Sequence, residues 1–159
     1  MKIRTGIGYD VHQFAEGRPL VLGGVVIEHE RGLAGHSDAD VLSHAIADAV
    51  LGAMGEPDIG FFFPPGDPAC EGISSLKILE KCRERAEELG WNLQNVDAML
   101  IAEAPKIMPH ASAMKEKIAC ALGVEVGEIG IKATTNEEMG FVGRKEGIAA
   151  LATALVTGK

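Results

Sequence analysis

Glycine and proline divide this chain into short segments, and that division is the strongest limit on its fold. The two residues occupy 20 and 7 of the 159 positions and occur in clusters between apolar stretches. No apolar stretch is long enough to cross a bilayer, and no basic and apolar signal region follows Met1. We therefore expect one soluble, cytoplasmic domain over residues 1–159, and neither a membrane protein nor a coiled coil.

Hydrophobic periodicity predicts the secondary structure between the clusters. Alternation and β-branched residues predict strands at 3–10, 20–22, 25–27, 95–102 and 129–134, with Gly23 and Gly24 as a hairpin turn. Helical spacing predicts helices at about 38–54, 75–89, 110–122 and 146–156. This order predicts an α+β fold, a two-layer sandwich in which helices pack on one face of a small, mixed and mostly antiparallel sheet.

Two local signals add detail to this prediction. Ser37 and Asp40 have the spacing of a capping box, so we expect Ser37 to cap the first helix. Residues 55–72 carry four of the seven prolines and three consecutive phenylalanines, without sustained periodicity. Loops of this length are usually functional or mobile, and we expect this one to border an active site.

The charge balance and the cysteines argue against several kinds of function. A total of 15 basic and 23 acidic residues gives a net charge of -8, which does not favour nucleic acid binding. A phosphate ligand would therefore need local cations or metal ions. Cys70, Cys82 and Cys120 form no C-x-x-C pair, so neither a disulfide framework nor a structural zinc site is predicted.

The sharpest chemical signal is Asp10-Val11-His12 at the end of the first strand. Residues two apart on a strand point to the same face, so Asp10 and His12 can reach one ion. His44 is the best third ligand, because Asp40 and Asp48 flank it at i−4 and i+4 and could orient its ring. Two histidines and one carboxylate leave an open position, as in catalytic zinc sites. The alternative is an aspartate that ends a strand and a solvated helical histidine.

Two further clusters have both a chemical and a structural interpretation. Residues 36–40 lie at the N-terminus of the predicted first helix, where free N–H groups attract phosphate, although helix capping explains the same residues. Residues 132–137 combine hydroxyl, amide and carboxylate groups that could hold a phosphate and a hard cation. A strand that ends in a turn explains this composition equally well. Neither a Walker pattern nor G-x-G-x-x-G occurs, so any nucleotide would not lie on a standard phosphate loop.

Five motifs, in order along nearly the whole chain, resemble the family of 2-C-methyl-D-erythritol 2,4-cyclodiphosphate synthases of the non-mevalonate isoprenoid pathway. They are GYDVH (8–12), AGHSDADVLSH (34–44), DIGFFFP (58–64), APKIMPH (104–110) and KATTNEEMGFVGRKEG (132–147). The resemblance implies a lyase that cyclises 4-diphosphocytidyl-2-C-methyl-D-erythritol 2-phosphate, its small-molecule substrate, and releases CMP. It also implies a homotrimer with active sites between neighbouring subunits.

The resemblance further implies the residues of the site. Asp10, His12 and His44 match ligands of Zn²⁺ or another divalent transition metal, and Glu137 matches a ligand of Mg²⁺ or Mn²⁺ on the substrate diphosphate. With His36 and Thr135, these are the implied catalytic residues. The implied substrate contacts are His36, Ser37, Thr134 and Thr135 to phosphate, Asp58 and Gly60 to methylerythritol, and Ala102, Pro105, Lys106, Ile107 and Met108 to cytidine.

A last group matches residues that line a cavity on the trimer axis, where relatives bind isoprenoid diphosphates: Gly140, Phe141, Arg144 and Glu146.

Neither a nucleic acid nor a membrane is an expected partner. Two rival functions are a module that only binds isoprenoid diphosphates through Arg144, and a zinc-dependent phosphohydrolase in which water is the nucleophile. The identity of the product separates these functions.

Overall fold

The protein folds around a mixed five-stranded sheet, and the computed structural model describes all 159 residues. The strands are β1 (Lys2–Ala15), β2 (Leu20–Leu22), β3 (Val25–Ile27), β4 (Gly32–Leu33), β5 (Trp91–Ile101), β6 (Ile129–Thr134) and β7 (Gly147–Gly158). The helices are α1 (Val41–Met54), α2 (Ile59–Phe62), α3 (Ser75–Leu89), α4 (Ala111–Leu122) and α5 (Gly140–Gly143). None of them combines the length and the hydrophobicity that a bilayer crossing requires.

The sheet confirms the predicted mixed and mostly antiparallel arrangement. Its strand order is β4-β1-β7-β5-β6, and only β5 and β6 run parallel. The predicted hairpin is also present, because β2 and β3 pair around Gly23 and Gly24, whose φ angles are 57° and 72°. Both glycines take the left-handed conformation that a two-residue turn between antiparallel strands favours.

The helix predicted for residues 146–156 is wrong, because this segment forms β7 at the centre of the sheet. β7 pairs with β1 on one side and with β5 on the other. Its even-numbered residues from Ile148 to Val156 are buried, whereas Leu151 and Thr153 are exposed. Alanine favours helices locally, but pairing along both edges and burial of one face outweigh that preference.

Helix α1 begins at Val41 rather than Asp38, and Asp40 caps it instead of the predicted Ser37. The Asp40 carboxylate accepts a hydrogen bond from the backbone N–H of Ser43 at 3.1 Å. It also accepts the N–H groups of Gly23 and Gly24 at 2.9 and 2.7 Å. Burial raises the pKa of Asp40, although these hydrogen bonds act in the opposite direction. The cap therefore also joins the helix to the hairpin.

Glycines in β1 allow α1 to lie directly against the strand. A methyl group at Gly8 would lie 1.9 Å from the carbonyl oxygen of Ala45, and one at Gly6 would lie 2.0 Å from that of Ala49. Only glycine permits so close an approach of two backbones. This contact sets the start of α1, and therefore His44, beside the last residues of β1.

The other predicted helices are present, and the helices leave one face of the sheet uncovered. α3 and α4 lie within one residue of the predicted ranges and end at left-handed Gly90 and Gly123. The opposite face of the sheet exposes large apolar side chains, with Ile7 at 67% and Tyr9 at 54%. Monomeric proteins rarely expose contiguous apolar surface of this kind.

Candidate metal centre

Asp10, His12 and His44 converge on one point beside the second half of β1, as the spacing of Asp10 and His12 predicts. The Asp10 Oδ2 atom lies 2.9 Å from His12 Nε2 and 3.1 Å from His44 Nδ1. The two ring nitrogens are 3.1 Å apart. Ligands about 2.0–2.1 Å from a tetrahedral zinc ion are about 3.3 Å from one another, so only a small expansion would admit the ion. The three residues form a group that could hold a metal ion.

The ring of His12 is held in one tautomer by the backbone. Its Nδ1 atom lies 2.6 Å from the carbonyl oxygen of Ala34, which can only accept a hydrogen bond. Nδ1 therefore carries the hydrogen, and in the neutral ring the lone pair of Nε2 points toward Asp10 and His44. A fixed outer hydrogen bond of this kind is typical of metal-binding histidines.

The prediction that Asp40 and Asp48 orient His44 is wrong. Asp40 caps α1 as described above, and the Asp48 carboxylate accepts the N–H of Ile59 at 2.8 Å. His44 instead places Nε2 at 2.9 Å from Ser75 Oγ and 3.1 Å from Ser37 Oγ. Both carboxylates instead accept hydrogen bonds from backbone N–H groups, Asp40 from the hairpin glycines and Asp48 from Ile59.

The Asp10 carboxylate lies within 3.1 Å of both ring nitrogens, so a cation among these three atoms would stabilise the cluster. Burial alone would raise the pKa of Asp10, but hydrogen bonds and charge from His12 and His44 hold that pKa well below its usual range. Burial alone would lower the pKa of His12, but its hydrogen bond to Asp10 and the Asp10 charge raise that pKa above its ordinary 6.5. A proton on His12 can supply that cation while no metal is bound.

Zinc and protons are therefore expected to compete for Nε2 of His12. Because the pKa of His12 is raised, protonation and loss of zinc should begin above pH 6.5 as the pH falls. The break point is the pH that equals the His12 pKa. Below the break point the apparent zinc affinity should fall by at least about tenfold per pH unit, and above it the affinity should be constant. Chelator competition measured at a series of pH values would check this. A break point below pH 6.5 would contradict it.

A pocket of about 220 Å³ opens beside the metal centre. The predicted phosphate contacts His36 and Ser37 line it, and so does Gly60 from the loop at residues 55–72. Asp58 is not part of this lining, since its carboxylate caps α2 by accepting the N–H of Phe61 at 3.3 Å. The loop therefore borders the metal pocket, as expected for residues 55–72.

A second pocket, of about 410 Å³, lies where β5 and β6 end. All the residues predicted to contact cytidine, and two predicted to contact phosphate, line it: Ala102, Pro105, Lys106, Ile107, Met108, Thr134 and Thr135. Asp10 is in register with Ala150, Ala150 with Leu100, and Leu100 with Ala133. Three strand spacings of about 4.8 Å therefore separate the two pockets by about 14 Å within one chain.

The remaining predicted residues lie outside both pockets. Glu137 follows β6, in a left-handed conformation with φ 52°, and is not near Asp10. Phe141 is in α5, and Arg144 donates to the Glu146 carboxylate at 2.6 Å in an exposed ion pair. Lys132 pairs with Asp97 on the neighbouring strand. Within one chain, the group of Asp10, His12 and His44 therefore lies apart from Glu137 and from the second pocket.

Two residues near the metal centre were not predicted as site residues. In the sequence, Ser75 is only the first residue of the predicted second helix, and Asp38 only the first residue of the predicted first helix. In the structure the Ser75 hydroxyl is fully buried and donates to the Asp38 carboxylate, with His44 on its other side. The only sequence signal is that both are polar residues beside predicted helix starts, which is common.

Comparisons with known proteins identify the family of the chain. A sequence model of the YgbB family matches residues 3–157. A protein of Akkermansia muciniphila named 2-C-methyl-D-erythritol 2,4-cyclodiphosphate synthase is 59% identical over 153 residues, which cover 96% of this chain and 90% of that protein. Many other curated relatives match as well.

Solved structures extend the similarity to the fold. The structure of the bifunctional IspDF from Campylobacter jejuni superposes with a TM-score of 0.95 and 42% identity, covering 99% of this chain. This chain spans only 43% of that bifunctional protein. The CDP complex of IspF from Plasmodium falciparum superposes with a TM-score of 0.86 and 34% identity, covering 99% of this chain and 97% of that one.

Proposed function

The chain belongs to the YgbB family, and we propose that it is the metal-dependent cyclase of isoprenoid biosynthesis. It converts 4-diphosphocytidyl-2-C-methyl-D-erythritol 2-phosphate into 2-C-methyl-D-erythritol 2,4-cyclodiphosphate and CMP. Two observations carry this conclusion together. A synthase of that name is 59% identical over 96% of this chain, and Asp10, His12 and His44 converge into a group that could hold a metal ion. We propose residues 1–159 as one synthase domain, and a cytoplasmic location stays a prediction.

The chemistry needs positioning more than a general base. An oxygen of the 2-phosphate attacks the β-phosphorus, and the bond from that phosphorus to the bridging oxygen breaks as CMP leaves with that oxygen. The 2-phosphate is largely ionised at pH 7, since the second pKa of a phosphate monoester is about 6. Orienting two groups of one molecule in this way can lower the barrier by about 7 to 11 kcal/mol.

We propose that Asp10, His12 and His44 hold Zn²⁺ or another divalent transition metal, and that Glu137 is a ligand of Mg²⁺ or Mn²⁺ on the diphosphate. The fit of the first site rests on three acceptor atoms within 3.1 Å of one another and on the fixed tautomer of His12. Bound cations would neutralise phosphate charge and polarise the phosphorus-oxygen bonds. A chain with a net charge of -8 needs this local positive charge.

The remaining polar groups position the substrate in this proposal. His36 and Ser37 on the rim of the metal pocket, and the hydroxyls of Thr134 and Thr135, donate hydrogen bonds to phosphate oxygens. Lys106 offers a further charge in the second pocket. The backbone groups of residues 102–108 line the same pocket, where they can read the edge of cytosine. Asp58 and Gly60 hold the methylerythritol part from the loop.

A homotrimer explains two features of the single chain. The uncovered face of the sheet exposes Ile7 and Tyr9, which assembly would bury. The two pockets are separated within one chain, and assembly would let the metal pocket of one subunit meet the second pocket of its neighbour. We further propose that Phe141 and Arg144, both exposed, face the axis of the trimer and take an isoprenoid diphosphate there.

The decisive experiment is product analysis. The purified protein is incubated with the substrate, zinc and magnesium, and phosphorus NMR follows CMP and the cyclic diphosphate, with a chelator as control. A native mass of three times 16.7 kDa checks the trimer in the same preparation. Metal-dependent formation of both products is the expected result. CMP with an open-chain bisphosphate would indicate a phosphohydrolase, and no turnover by a zinc-loaded trimer would favour the binding module.

A further inference from the structure

A chain of hydrogen bonds through the buried Ser75 hydroxyl links His44 to the carboxylate of Asp38, which does not touch the metal centre. The Ser75 hydroxyl has no exposed surface and lies 2.9 Å from His44 Nε2. On its other side the same hydroxyl donates to Asp38 Oδ1. Asp38 belongs to the loop before α1, Ser75 begins α3 and His44 lies in α1, so the chain joins three separate segments.

The direction of these hydrogen bonds follows from the groups involved. An ionised carboxylate only accepts, so the Ser75 hydroxyl must give its one hydrogen to Asp38. The Ser75 oxygen can then only accept from His44, which places a hydrogen on Nε2. In the neutral ring Nδ1 is left with its lone pair, and Nδ1 is the atom that faces Asp10 and His12.

We propose that Asp38 and Ser75 are positioning residues that fix the tautomer and the orientation of His44 for metal binding. The inference rests on the proposed metal site and deepens it. His12 is fixed in the complementary way by the Ala34 carbonyl, so each ring presents a lone pair to the same point. Outer partners of this kind typically change metal affinity by about 10-fold to 100-fold.

Two other contacts of these residues must be distinguished from the proposed positioning role in any test. Ser37 Oγ lies 3.1 Å from the same His44 Nε2, but it is partly exposed and already accepts the N–H of Ala39. Asp38 also caps α3, because its Oδ2 accepts the backbone N–H of Ser75 at 2.9 Å. Replacing Ser75 by alanine keeps that N–H and removes only the hydroxyl, so the capping and positioning roles can be measured apart.

The first measurement reads the tautomer directly in the metal-free protein. Long-range proton–nitrogen correlation spectra of histidine-labelled protein, recorded where the rings are neutral, are expected to assign the hydrogen of His44 to Nε2. In Ser75→Ala the Nδ1–H form should gain population. A His44 that carries its hydrogen on Nδ1 in the unaltered protein would overturn the inference whether or not zinc binds.

The second measurement is zinc affinity by chelator competition. Ser75→Ala is expected to bind zinc about 10-fold to 100-fold more weakly, with an unchanged far-ultraviolet circular dichroism spectrum. Ser74→Ala is the matched control, because Ser74 is the adjacent exposed serine with no side-chain cap hydrogen bond, and its affinity should not change. Equal affinity of Ser75→Ala and the unaltered protein, or a larger loss in Ser37→Ala, would overturn the inference. Failure of the unaltered protein to bind zinc would instead refute the metal site.

Discussion

The His44→Ala variant is expected to fold normally, to lose nearly all its bound zinc and to retain almost no turnover. Truncation removes one of three ligand atoms, whereas the apolar residues that α1 buries against the sheet are untouched. The loss of zinc affinity should exceed the about 100-fold that a missing outer partner can cause. A metal ion contributes several kcal/mol of charge stabilisation, and about 1.4 kcal/mol is tenfold in rate, so turnover should fall by about 10³-fold or more.

Metal analysis of the purified protein and the phosphorus NMR assay check this expectation together. His29→Ala serves as the control, because His29 is partly buried, stacks on Phe14 and does not line the metal pocket. That variant should keep its zinc and its activity. A His44→Ala protein with full zinc content and normal turnover would refute the assignment of the ligands.

The group of Asp10, His12 and His44 could be predicted from the sequence because two of its residues are neighbours on one strand. Asp10 and His12 share a face of β1 through the period of a strand, and this holds in any fold that keeps the strand. His44, the third residue of the group, followed from its place between Asp40 and Asp48, at i−4 and i+4 on a predicted helix that is otherwise largely apolar. Gly90 and Gly123 end α3 and α4 in the left-handed conformation that favours glycine, so a glycine after a helical pattern is a local signal of the same kind.

The errors arose where distant segments decide the structure. In β7 the alanines are compatible with a helix, and only pairing with β1 and β5 makes the segment a central strand. Ser37 and Asp40 both fit a cap, and the hairpin amides of Gly23 and Gly24 favour Asp40. None of these contacts leaves a periodic signal in the chain.

The same limit applies to the outer partners of the metal centre. Ser75 is 31 residues from His44 and 37 from Asp38, so no spacing rule connects them. Serine at the start of a helix most often caps that helix, so Ser74 and Ser75 give no signal of a contact with the metal centre. In the structure Ser74 occupies the cap position without a side-chain hydrogen bond, and Ser75 turns inward.

The close contact between β1 and α1 leads to the second large expected effect, in the Gly8→Ala variant. The added methyl group would lie 1.9 Å from the carbonyl oxygen of Ala45, and a backbone carbonyl cannot rotate away as a flexible side chain can. Strand and helix would have to separate by more than about 1 Å to restore a normal contact. We expect a loss of about 3 kcal/mol or more in the free energy of unfolding, the upper part of the range for overpacked cores. The melting temperature should then fall by about 6 to 12 °C.

This separation should also damage the metal centre, because it moves His44, next to Ala45, away from Asp10 and His12. Zinc affinity is therefore expected to fall together with stability, although no ligand has been changed. Gly52→Ala tests the same helix without the clash, since its nearest atom outside the helix is the Ile7 oxygen at 3.8 Å. That variant should be neutral or more stable by up to about 1 kcal/mol, because alanine favours helices over glycine. Thermal melting and chelator competition on both variants decide the matter. A Gly8→Ala protein as stable and as tightly zinc-bound as the unaltered chain would show that α1 does not depend on this contact to place His44.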